Sequence, residues 1–110
     1  MAKCKYRIND DFNHICNHIK REILSTSSSA SLEDEEYLNI GDVRMGILVF
    51  ERYSYSGGNR LSLHVTVIEK DNIVDIIGIS SGGSNGLFFK VNTWGEDAFL
   101  EKLKEAIKKL

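Results

Sequence analysis

The stretch Ile47–Lys70, ILVFERYSYSGGNRLSLHVTVIEK, decides the fold: two alternating, β-rich arms turn back on each other about Gly57-Gly58-Asn59. In the second arm Leu61, Leu63, Val65 and Val67 alternate with Ser62, His64 and Thr66. Successive strand side chains point to opposite faces, so this arm has one apolar face that must be covered and one polar face. The first arm is less regular, because neither Ile47-Val49-Glu51-Tyr53-Tyr55 nor Leu48-Phe50-Arg52-Ser54 is free of charge. A three-residue loop, Gly57 to Asn59, sets Glu51 on the core side. A two-residue Gly57-Gly58 turn moves the register by one and sends Arg52 inward, with Glu51 opposite His64. A β-bulge near Glu51 lets both side chains escape to solvent.

An ionised group buried alone is too costly to persist, so an inward Glu51 or Arg52 calls for a partner or a wet cavity. The plainer reading is a charge at the sheet rim that reaches water along its stem. The cavity reading makes Glu51, Arg52, Tyr53 and Tyr55 the sparse polar anchors of a mostly apolar ligand site, with Trp94 closing one end of the core.

Outward from the hairpin, Lys3, Lys5 and Arg7 alternate with Cys4, Tyr6 and Ile8, which predicts a short strand with a basic outer face. Asn9-Asp10-Asp11 supplies the cap and negative charge that a helix start favours. Phe12, Ile15, Cys16, Ile19, Ile23 and Leu24 then keep the spacing of one apolar stripe, and Ser25 to Ser29 end it. His14 and His18, four apart, are read as solvated surface histidines rather than a metal pair, since no HExxH pattern or second ligand pair accompanies them. Ser29 to Glu33 suggests a strand and Glu33-Asp34-Glu35-Glu36 a charged turn or strand end. Gly41-Asp42 turns into the long hairpin, whose first arm starts as early as Val43.

Asp71-Asn72 predicts a tight turn, and Ile73 to Ser81 a strand apolar on both faces, hence central or covered by a partner. Ser80 to Gly86 reads as a hairpin loop rather than a phosphate cradle, because Leu87-Phe88-Phe89-Lys90-Val91 looks like a strand. Thr93 and Glu96 have capping-box spacing, and Phe99, Leu100, Leu103, Ala106, Ile107 and Leu110 form the stripe of a final helix.

At 110 residues, 42% hydrophobic and 27% charged, the chain has the composition of one globular domain, residues 1–110. A formal net charge of −2 argues against broad nucleic-acid or anionic-membrane binding. Two cysteines, no apolar leader and no membrane-length apolar run point to a cytoplasmic protein with reduced thiols. The element order predicts an α+β, two-layer β-α-β(4-5)-α fold: an antiparallel meander sheet with two amphipathic helices packed on one face.

This order resembles TATA-binding-protein-like and helix-grip folds, the latter including START-type lipid-binding domains. Glu51-Arg52-Tyr53-Ser54-Tyr55 with Gly57-Gly58-Asn59-Arg60, Ser81-Gly82-Gly83-Ser84 with Phe88-Phe89-Lys90, and Gly95-Glu96-Asp97-Ala98-Phe99-Leu100 resemble a small uncharacterised family of Gram-positive bacterial proteins, classed as a domain of unknown function. That resemblance implies no activity, cofactor or metal. The first functional expectation is a non-catalytic module for a small apolar ligand. The alternative is a protein-interaction or homodimerising domain using its sheet face or edge, favoured by strand Ile73 to Ser81. An enzyme ranks third, because its one candidate pair, His64 and Glu51, arises by chance in any sheet.

Overall fold

The computed structural model describes residues 1–54, 59–82 and 89–110, without the side chains of 89–93. The elements run β1 (Ala2–Asn9), α1 (Phe12–Leu24), β2 (Ser31–Ile40), β3 (Val43–Tyr53), β4 (Arg60–Lys70), β5 (Ile73–Gly82) and α2 (Phe89–Lys108). The five strands form one antiparallel sheet in the order β1-β5-β4-β3-β2. Strands β2 to β5 are a meander; β1 pairs with the outer side of β5, and α1 carries the chain from that edge across the sheet to β2 at the opposite edge. The expected α+β architecture is therefore present. Helix α1 packs on β2, β3 and β4, α2 on β1, β4 and β5, and the helices touch each other on that same face.

The local chemistry explains the boundaries. Asp11 caps α1 by accepting the backbone N–H of His14 at 2.9 Å, and Ser25 and Thr26 take back the carbonyls of Glu22 and Ile23 at its end. Asp71 and Asn72 both adopt positive φ, 54° and 65°, as a tight hairpin between twisted strands requires. Gly41 opens the β2–β3 turn at φ 60°, a conformation glycine adopts freely.

One apolar cluster fills the space between sheet and helices. It combines Leu48 and Phe50 of β3, Leu61, Leu63, Val65 and Val67 of β4, Val74 and Ile76 of β5 with the stripes of α1 and α2. Gly78 on β5 lets α2 approach: a Cβ there would run into Leu103 Cδ2 and lie 3.3 Å from Cys4 Sγ. Gly78→Ala is expected to cost about 1–3 kcal/mol by overpacking. Urea unfolding checks this, and an unchanged midpoint would mean that α2 can shift off β5 freely.

Several sequence expectations are corrected. The residues Glu33 to Glu36 lie inside β2, because a ten-residue edge strand pairs with β3 through a register shift between Leu32 and Asp34. That shift is a bulge close to Glu51, opposite Phe50 and Val49 and next to the Ser31–Glu51 pair, but it lies on β2 and leaves the alternation of β3 intact, so Arg52 stays buried. Helix α2 begins at Phe89, so Phe89 to Val91 are helical rather than strand, and Thr93 lies within the helix instead of capping it. Leu87 and Phe88 lie outside the described residues, as does most of the Gly/Ser-rich loop. Trp94 closes nothing; it is 66% exposed. His18 is buried, not solvated. Its Nε2–H donates to the Ala106 carbonyl at 2.7 Å while Nδ1 takes Arg21 Nη2 at 3.3 Å, which ties α1 to α2.

Candidate functional site

The hairpin register places the two charged residues. Tyr53 pairs with Arg60, Arg52 with Leu61, Glu51 with Ser62 and Val49 with His64, and the Ser54 N–H donates to the Asn59 carbonyl at 2.7 Å. This register is that of neither the three-residue Gly57-Gly58-Asn59 loop nor the two-residue Gly57-Gly58 turn; residues 55–58 lie outside the described residues. The register has the parity of the shorter turn, shifted by two residues, so Arg52 faces inward and Glu51 outward. Arg52 is 2% exposed and lays its guanidinium over the Phe99 ring, Cζ 4.6 Å from the centroid. Glu51 pairs with Arg60 on the opposite face of the sheet, where Arg60 also approaches Glu33 at 3.7 Å and lies 5.7 Å from the Tyr53 ring. Tyr55 lies outside the described residues. The sheet therefore separates Arg52 from Glu51 and Tyr53, and Trp94 projects into solvent.

Two surfaces remain to be weighed. The first is a cleft of about 350 Å³ where α1 diverges from the β2–β3 hairpin, lined by Phe12, Cys16, Lys20, Tyr37 and Arg44 among others. Arg44 lies over Phe12, 4.6 Å from its centroid, and donates to Asn13 at 3.1 Å. Lys20 pairs with Glu35 at 3.2 Å. Hydrogen bonding from Tyr37, then from Lys20, holds the Glu35 carboxyl below its ordinary value. Burial pushes the Cys16 thiol up to about 11, against the opposing pull of Lys20 and Arg44, so it is a packing group and not a nucleophile. Among the described residues no cluster of three or more histidine, cysteine or acidic side chains could hold a metal. His18 has both ring nitrogens engaged, which removes it as a partner for His14.

The second surface is the other face of the sheet. No described element lies over it. Its residues form cross-strand rows that the ladders define. One row reads Lys5 (β1), Ile77 (β5), Thr66 (β4), Ile47 (β3), Glu36 (β2). The next reads Lys3, Ile79, His64, Val49, Asp34, and a third reads Arg7, Asp75, Ile68, Met45, Leu38. Each of the first two rows runs from a base, through a β-branched residue, a polar residue and a second β-branched residue, to an acid. Apolar side chains of β5 and β3 thus flank a β4 column of Thr66, His64 and Ile68, with a basic border on β1 and, in the first two rows, an acidic border on β2.

Within the third row Arg7 donates to both Asp75 carboxylate oxygens, at 2.7 Å from Nε and 3.0 Å from Nη2. That hydrogen bonding, with the guanidinium charge beside it, holds the Asp75 carboxyl below its ordinary 3.8. A depressed carboxyl favours the folded state above its unfolded value and loses that contribution as pH falls through the lower folded value. Stability is expected to fall between about pH 5 and 2, and Asp75→Asn to flatten that fall. Urea midpoints across that range check it; identical slopes in the two proteins would refute the coupling.

The fold and its open face define a two-layer α+β domain with helices on one side only. The chain belongs to the family of unknown function DUF6054, whose model matches residues 1–110. No curated protein and no solved structure matches it. Among the described residues no helix is long and apolar enough to cross a membrane.

Proposed function

We propose that the chain is a non-catalytic protein-interaction domain that works through the open face of its sheet. One observation carries this reading: Ile77 and Ile79 of β5, Ile47, Val49 and Met45 of β3 and Ile68 of β4 lie partly exposed on a face that no described element covers, while both helices pack on the other face. An apolar patch of this extent rimmed by charge marks an interaction surface. The edges are less suited to this role. β1 carries lysines and β2 carries acids and a bulge, devices that discourage strand addition. Backbone amide spectra recorded over a concentration series test the reading. The expected result is a shift of the outward residues of β3, β4 and β5 with α1 and α2 unchanged; shifts confined to the helices would refute it.

The cleft between α1 and the β2–β3 hairpin supports a second reading, a site for a small ligand with an apolar body. This keeps the ligand expectation but moves it away from Glu51, Arg52, Tyr53 and Trp94. A binder must raise the melting temperature, and the rise should vanish in Asn17→Trp, which fills the cleft. A rise that survives this substitution would put the ligand elsewhere.

A further inference from the structure

We infer that the partner of the open face is a second copy of this chain, docked face to face with the two-fold axis running along β4; the inference rests on the interaction reading above. Stacking two sheets by their open faces requires a two-fold axis lying in the plane between them. An axis across the strands sets β1 on β1 and β2 on β2, so that Lys3 and Lys5 meet lysines and Asp34 and Glu36 meet acids. An axis along the strands sets β1 over β2, β5 over β3 and β4 over itself.

Under the second operation every row meets its own reverse. Lys5 lies over Glu36 of the second copy, Ile77 over Ile47 and Thr66 over Thr66. In the next row Lys3 lies over Asp34, Ile79 over Val49 and His64 over His64. In these two rows both borders become attractive, and the β-branched side chains interdigitate as in an aligned β-sandwich, with a rotation of about 30° spreading each contact over neighbouring residues; in the third row Ile68 meets Ile68, while Arg7 and its ion-pair partner Asp75 lie over Leu38 and Met45. The order of the first two rows, complementary to its own reverse, is what a self-complementary patch requires.

Five strands about 4.8 Å apart and eight residues of about 3.3 Å rise give each copy a face of roughly 600 Å² in projection. That is near the lower limit of standard interfaces, so the dimer is expected to be reversible, with dissociation around the micromolar range or weaker.

Charge reversal on exposed positions tests the docking without touching the core. Sedimentation equilibrium would be run on the wild type, on Lys3→Glu with Lys5→Glu, on Asp34→Lys with Glu36→Lys, on all four together, and on an equimolar mixture of the two pairs. Each pair alone sets like charges over like on both borders and is expected to weaken the dimer about ten-fold. The four-fold variant and the mixture restore opposite borders and are expected to return to within about three-fold of wild type. Pairs that associate as tightly as the wild type overturn the docking; if Ile77→Glu still breaks that dimer, the interaction reading stands without it. A wild type that stays monomeric while its amides still shift on contact with other proteins overturns the second copy as partner. A monomer whose open face shows no contact at all overturns both.

Discussion

Replacing Phe99 with alanine is expected to remove about 3–5 kcal/mol of stability, a large share of the 5–15 kcal/mol typical of such domains. Phe99 is 0% exposed and belongs to the stripe by which α2 covers β1, β4 and β5. Its removal opens a cavity and also takes away the ring on which the buried Arg52 guanidinium rests. Both consequences act in the same direction. Chemical unfolding followed by circular dichroism gives the value. A loss under about 1 kcal/mol would mean that the helix is not docked through this ring.

Ile77→Glu is expected to abolish association while leaving the monomer folded. Ile77 faces Lys5 across the β1–β5 ladder, so a glutamate there gains an opposite charge within its own sheet. In the dimer it faces Ile47 of the second copy, and the two-fold axis makes every change count twice. Losing about 1.5 kcal/mol of apolar burial per site gives about 3 kcal/mol, or roughly 100-fold in the dissociation constant. The melting temperature of the dilute protein should hardly move. Dissociation unchanged by this substitution would remove the middle of the open face from the interface.

The element order was legible because hydrophobic periodicity reports it directly. The stripe from Phe12 to Ile23 and the alternation from Leu61 to Val67 each specify an element type and a buried face, and the structure has both, although Leu24, read as the end of that stripe, is exposed. Where the pattern conflicted with the fold, tertiary context decided. The acidic run in β2 reads as a turn because charge is rare in strands, yet it is tolerated there because β2 is an edge with an exposed face. Phe89 to Val91 has strand composition but begins a helix, since short apolar runs carry no period by which to tell the two apart.

The inward side of the long hairpin was open between Glu51 and Arg52 because loop length sets parity. His18 lies off the apolar stripe of α1, and only the arrival of α2 buries it. The open face was legible in pieces, as a basic side of β1, an acidic run and a doubly apolar β5. Their order across the sheet is a property of register between strands up to about seventy residues apart, which no local pattern contains.

The most direct measurement is sedimentation equilibrium of the wild-type chain across its soluble concentration range. The account predicts a reversible rise from the monomer mass to twice that mass, weakened by salt because both borders are ionic. A single monomer mass at every concentration would contradict it.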